Sequence, residues 1–195
     1  AGGVDIAGLG SAFEYHVNDA AELRRNIDGT IQYCKLAADL GCPGVKVRPN
    51  GFQTDEGIPE AQTLEQIGKA VGECAAAAAD LGVEIRVEVH GRGTQEPRHM
   101  RTIMAHADHS NAYVCWNSNF GEVIEGSIDA NFELLKHKIG LVHITEICKS
   151  EYPWRDLFSK LSAHGYDGYT LAEIPASSEP ERLMGYYRAL WEAYQ

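Results

Sequence analysis

The sequence predicts an α/β fold of six successive βα units whose parallel strands form a (β/α) barrel. Three observations lead there. Strand-like and helix-like segments alternate along the whole chain, which implies a parallel sheet with right-handed crossovers. The stretch Val83-Glu84-Ile85-Arg86-Val87-Glu88-Val89-His90-Gly91 sets apolar residues at odd positions and Glu84, Arg86, Glu88 and His90 at even ones. A period of two marks a strand with one apolar and one polar face. The same polar parity returns in later strands, as a barrel requires when apolar faces meet the helices and the others look inward. An open sheet covered on both sides would carry near-continuous apolar strands. No Gly-x-Gly-x-x-Gly follows the first strand, so a dinucleotide site has no support.

The first strand is expected at 4–10 and the first helix at 19–40. Asp19 and Glu22 have capping-box spacing there, and Gly41 is a stop. A strand at 45–48 ends in Pro49-Asn50-Gly51, with Lys46 and Arg48 on its polar face. Thr63 and Gln66 repeat the capping-box spacing and open a helix to Leu81-Gly82. After the strand at 83–90 comes a helix at 97–107, then a strand at 112–116 with Tyr113, Cys115 and Asn117 inward. A helix from 127 to 138 leads to a strand at 141–147, where Val142 and Ile144 meet the helices and His143 and Thr145 face inward. The last pair of units is a helix at 154–164 stopped by Gly165, a strand at 169–174 with Leu171 and Glu173 inward, and an amphipathic helix at 180–194 opened by Ser178 and Glu181.

A chain of 195 residues suits a single domain spanning 1–195 with a sizeable core. Seventeen basic against 28 acidic residues give a net charge of −11. That is the wrong sign for a nucleic-acid binder, which neutralises phosphates with cations. No apolar run approaches the ~20 residues that cross a bilayer. The five cysteines, 34, 42, 74, 115 and 148, are scattered without a CxxC. They read as reduced thiols of a cytoplasmic protein. The opening Ala-Gly-Gly-Val-Asp has neither a signal-peptide pattern nor a methionine, so a processed or shortened start is expected.

Glu88, Asn117, His143 and Glu173 occupy corresponding places in four successive strands, 29, 26 and 30 residues apart. Polar groups at similar height on consecutive strands of a barrel converge on its axis. Two carboxylates, an imidazole and an amide oxygen make a divalent-cation site that suits Mn²⁺ or Mg²⁺ and also accommodates Co²⁺ or Zn²⁺.

The segments Val87-Glu88-Val89-His90-Gly91, Val114-Cys115-Trp116-Asn117, Leu141-Val142-His143-Ile144 and Tyr169-Thr170-Leu171-Ala172-Glu173-Ile174, with Gly165-Tyr166-Asp167-Gly168 before the last, carry a specific resemblance. The chain resembles the sugar phosphate isomerase/epimerase family of xylose isomerase-like TIM barrels, related to ketose 3-epimerases, inosose dehydratases and endonuclease IV. The resemblance covers strands three to eight of that (β/α)8 barrel, so the first two βα units are expected to be missing. It implies metal ligands at Glu88, His143 and Glu173, with Asn117 where the family usually has Asp, and Phe120 where it often has His. One negative charge fewer means weaker metal binding, and Phe120 together with the acidic charge argues against DNA repair.

With the ion in place, the resemblance implies aldose–ketose isomerisation or epimerisation through an enediolate. Glu88 and Glu173 would exchange the proton as base and acid. Arg48 and His90 would bind substrate hydroxyls, Lys149 would face a phosphate or carboxylate, and Trp154, in a βα loop, would wall the pocket. Two alternatives stay open: a barrel that binds a sugar or a protein partner without turnover, and dehydration of an inosose-like polyol. Six units cannot close an eight-stranded barrel. A lost segment, a smaller closed barrel, or homo-oligomers whose open edges cover one another would each answer the unpaired edge groups, and a shortened family member that self-associates is the expected form.

Overall fold

Six strands, β1 (Leu9–Glu14), β2 (Gly44–Arg48), β3 (Glu84–Glu88), β4 (Ala112–Asn117), β5 (Ile139–Ile144) and β6 (Thr170–Ala172), pair in sequence order in one sheet of parallel strands. They alternate with α1 (Ala20–Asp39), α2 (Glu60–Ala79), α3 (Pro97–Ala107), α4 (Asp129–Leu135), α5 (Trp154–Ala163) and α6 (Pro180–Tyr194). This is a computed structural model, and it describes residues 3–195. β1 and β6 end the strand order without pairing to each other, so the sheet is an arc of a (β/α) barrel, open on one side. A smaller closed barrel is thereby excluded among the described residues.

The alternation of each strand decides which face packs. Val45, Val47, Ile85, Val87, Val114, Trp116, Val142 and Ile144 are fully buried and lie in the hydrophobic core. The opposite parity carries Lys46, Arg48, Arg86, Glu88, Asn117 and His143. Trp116 spends its indole N–H on the Tyr152 hydroxyl at 3.1 Å and packs edge-on against Phe132 of α4. α2 and α3 approach closely because α2 presents Gly68 and Gly72. A Cβ on Gly68 would lie 2.3 Å from His106 Cβ, and one on Gly72 would lie 2.5 Å from the Ala107 carbonyl oxygen.

Several boundaries differ from those expected. β1 runs from Leu9 to Glu14, not over 4–10, because pairing needs a neighbour: Leu9 and Gly10 are level with Val45 and Lys46 of β2, and Val4 is left exposed. α2 starts at Glu60 with Pro59 as its cap, three residues before Thr63. Thr63 is buried in the helix, and the Gln66 amide reaches away to donate to the Tyr15 and Val17 carbonyls at 2.7 and 2.8 Å. The last helix is capped at Glu179, whose N–H bonds to Ser177 Oγ at 3.1 Å, so Ser178 and Glu181 form no capping box. β6 is only three residues long, and Glu173 lies just beyond it with its N–H on the Ile144 carbonyl at 2.8 Å.

Glycine serves packing in α2 and has no such task in α6, where a Cβ on Gly185 meets nothing within 4 Å. Gly68→Ala should therefore destabilise the protein by about 1–2 kcal/mol, the overpacking outweighing better helix propensity, whereas Gly185→Ala should stabilise it by up to ~1 kcal/mol. Urea unfolding of both variants checks the contrast, and a Gly68→Ala protein at least as stable as wild type would refute the close approach.

Candidate metal centre

The four polar groups picked out by strand parity sit at the C-terminal ends of β3 to β6. In register, Glu88 is level with Cys115, Asn117 with His143, and His143 with Leu171. Two of the three steps therefore climb by two residues, which is the stagger that tilted barrel strands need to bring side chains to one height. The result is a tight cluster. Glu88, His143 and Glu173 each offer a donor atom, and those atoms all lie within 4.8 Å of one another. His143 Nδ1 stands 3.6 Å from Glu88 Oε1 and 3.3 Å from Glu173 Oε2. The Asn117 amide donates from Nδ2 to Glu88 Oε1 at 3.4 Å.

Glu88 is only 3% exposed, yet it stays an anion. Burial pushes its pKa up, but His143 and the Lys46 ammonium, whose Nζ is 2.7 Å from Oε2, outweigh it and hold the carboxyl at about 2. For His143, burial disfavours the charged ring. The Cys115 thiol and the Glu173 and Glu88 carboxylates overcome that and push it up to about 12, so the metal-free ring is an imidazolium. Glu173, at the solvent side, is lowered chiefly by His143.

These residues fit a divalent cation. Asn117 Oδ1 and His143 Nδ1 are buried without a hydrogen-bond partner, beside two carboxylates. A half-turn of the Asn117 amide puts Oδ1 in place of Nδ2 against Glu88 Oε1, a repulsive contact unless a cation lies between them. An ion would take the place of the imidazolium's proton, leaving His143 a neutral ligand.

The other expected site residues divide. Arg48 is half-buried at the end of β2, level with Glu14, and its Nε has no partner. His90 is half-buried, with Nδ1 3.1 Å from Asn50 Oδ1. Lys149 is exposed, its Nζ 5.9 Å above the Phe120 ring. Trp154 opens α5 at the end of the βα loop, where the helix expected at 154–164 begins. It is 3% exposed, tilts against Tyr152 at 4.4 Å and donates its indole N–H to the Lys149 carbonyl at 2.8 Å, and it lines a surface cavity with Tyr152, Pro153, Arg155 and Tyr194. Two residues inside the region escaped the sequence reading of the site. Lys46 was visible as an inward residue of β2, but its distance to Glu88 was not. Asn50, at a left-handed φ of 67°, sits in a turn that the Pro-Asn-Gly run marks without assigning its side chain.

The signs of the two shifts fix a stability profile for the metal-free chain. The His143 pKa is raised above the ~6.5 of an unfolded histidine, so its contribution is complete below that pH and fades as pH rises toward 12. That of Glu88, lowered to about 2, is present above ~4.3 and lost as pH falls toward 2. His143→Leu should cost ~1–3 kcal/mol near pH 6 and clearly less at pH 9. Urea unfolding in the presence of EDTA measures both, and equal costs at the two values would mean a neutral ring.

Comparison with known proteins agrees with the fold. A family model described as xylose isomerase-like TIM barrel matches residues 2–191. Among solved structures, the apo 3-keto-D-glucoside 4-epimerase from E. coli superposes with a TM-score of 0.81 at 13% identity, over 96% of this chain and 79% of that one. An L-ribulose 3-epimerase gives 0.75 at 17% identity, over 96% of this chain and 74% of that one. The D-psicose 3-epimerase from Clostridium cellulolyticum H10, solved with D-tagatose, gives 0.70 at 19% identity, over 86% and 63%. At such identities the likeness is one of fold. The chain spans less than two thirds of the last of these relatives. No curated protein matches the chain.

Proposed function

The chain belongs to the xylose isomerase-like TIM barrel family, and from that premise we propose that it is a metal-dependent isomerase or epimerase acting on a sugar or sugar phosphate. The observation that carries the reading is the convergence of Glu88, His143 and Glu173 donor atoms within 4.8 Å at the C-terminal ends of three strands, the end of a βα barrel where chemistry sits. The sugar-epimerase titles of its structural neighbours support the substrate class.

In this reading Glu88, Asn117, His143 and Glu173 hold the ion, with Mn²⁺ or Mg²⁺ best matched to the oxygen-rich set and Co²⁺ or Zn²⁺ acceptable. The bound cation would polarise the substrate carbonyl and fix the neighbouring hydroxyl. Glu88 and Glu173 exchange the proton on the adjacent carbon, one as base and one as acid. Arg48, through its unpartnered Nε, and His90 bind substrate hydroxyls, and Lys149 at the exposed rim meets a phosphate or carboxylate.

A second reading, binding of a sugar without turnover, draws on one observation: Asn117 is neutral and Lys46 already occupies Glu88 Oε2, which weakens the attraction for an ion. Incubation with Mn²⁺ and a panel of ketoses and aldoses in D₂O separates the two. Turnover predicts deuterium at the carbon beside the carbonyl, abolished by EDTA and reduced about 10²–10⁴-fold in Glu88→Gln and Glu173→Gln. Sugar binding by calorimetry with no deuterium incorporation would overturn the isomerase reading.

A further inference from the structure

Lys46 lies outside the candidate ligand set, yet its ammonium is within the cluster. Its side chain is 17% exposed and its Nζ is 2.7 Å from Glu88 Oε2. The two oxygens of that carboxylate have separate neighbours: Oε2 takes Lys46, while Oε1 faces Asn117 Nδ2 at 3.4 Å and His143 Nδ1 at 3.6 Å. An ion held through Oε1 would leave the Lys46–Oε2 contact intact. An ammonium has three N–H donors, and among the described residues Glu88 is the one side chain that accepts from it. The space beside it is open. Its register partner on β1 is Gly10, and even a Cβ built there would come no nearer than 4.0 Å to Lys46 Cε. The strand beneath is fixed by Ser11 Oγ, which donates to the Lys46 carbonyl at 2.6 Å.

Charge gives this arrangement its meaning. Glu88 and Glu173 cancel the two charges of a divalent ion, and His143 as a ligand is neutral. Lys46 then leaves the loaded centre with one net positive charge. Such a centre matches a singly negative oxyanion better than a neutral sugar, and preferential attraction to charge that develops during reaction is what accelerates it.

We propose that Lys46 is a catalytic residue of this centre, donating to the substrate oxygen that becomes negative when the neighbouring carbon loses its proton. The proposal rests on the metal-dependent isomerase reading. In the step, the C–H bond beside the carbonyl breaks and its proton goes to a carboxylate of the Glu88/Glu173 pair. The C–H electron pair forms the carbon–carbon double bond, and the carbonyl π pair moves onto oxygen, where a Lys46 N–H meets it. Return of a proton to carbon reverses these shifts and regenerates the carbonyl and the carboxylate. Because it sits on Glu88, Lys46 also repels the ion, so its contributions to metal binding and to turnover have opposite signs.

That opposition is the test. Calorimetric titration with Mn²⁺ alone, needing no substrate, should show Lys46→Met binding about tenfold or more tightly than wild type, since a positive charge close to the ion is gone. Turnover at saturating Mn²⁺, read as deuterium exchange into the responsive sugar, should fall about 100-fold in kcat with KM little changed, and Lys46→Arg should recover part of it. Gly10→Val, which fills the space beside the ammonium, should raise KM while leaving Mn²⁺ affinity unchanged. Weaker Mn²⁺ binding by Lys46→Met would make Lys46 a structural prop for Glu88 and overturn the proposal, as would an unchanged kcat. If Lys46→Met does not fold, an unaltered KM in Gly10→Val overturns it instead. A wild type that binds Mn²⁺ but exchanges no deuterium with any sugar sinks the isomerase reading and this role with it; an active wild type with an equally active Lys46→Met sinks the Lys46 assignment alone.

Discussion

An ionised carboxylate withdrawn from water survives only where positive charge and hydrogen-bond donors replace its hydration. Glu88, on β3, is that carboxylate, and its neighbours explain the arrangement around it. Lys46 from β2, Asn117 from β4 and His143 from β5 all point at it, and Glu173 beyond β6 completes the ring through His143. Four consecutive strands and the segment that follows β6 thus contribute one polar group each to a single electrostatic unit. No one strand supplies them, because same-face residues of a strand follow one another at ~6.6 Å and soon leave the height of the site. The packing of the apolar faces against the helices sets the register, and the register sets the site.

Parity carried most of what the sequence could reveal. A shift of one residue would send Glu88, Asn117 and His143 into the helical layer and Val87, Trp116 and Val142 toward the axis, so the hydrophobic pattern alone orients the strands. Trp116, on the parity opposite Cys115 and Asn117, is fully buried in the helical layer for that reason. Local signals were weaker where a second element decides the outcome. The limits of β1 depend on where β2 begins, which no property of residues 4–14 encodes. Thr63 and Gln66 have the spacing of a cap, but Pro59 starts the helix a turn earlier and Gln66 ties down the segment after β1.

The residues of the polar cluster were legible in the sequence, and their hydrogen-bond partners were not. Strand periodicity gives direction; it gives no distances between side chains on different strands, and so the Lys46–Glu88 contact and the Asn50–His90 contact could not be read from it. Buried polar pairing is similarly silent in sequence. Glu122, between β4 and α4, is 1% exposed, accepts from the Tyr152 hydroxyl at 3.0 Å and has its pKa raised well above the usual carboxylate value by burial. The indole N–H of Trp154 is likewise satisfied by a backbone carbonyl five residues earlier, a pairing that no local pattern announces.

Asn117 Oδ1, buried without a hydrogen-bond partner, together with an imidazole and two carboxylates whose donor atoms converge within 4.8 Å, is the physical case for an ion. Diffraction from crystals grown with Mn²⁺, with data collected at the manganese absorption edge, addresses it most directly. The account requires one anomalous peak per chain within coordination distance of Glu88, Asn117, His143 and Glu173. A crystal that shows no peak among these four side chains, or shows its manganese elsewhere with the His143 imidazolium still between the carboxylates, contradicts it.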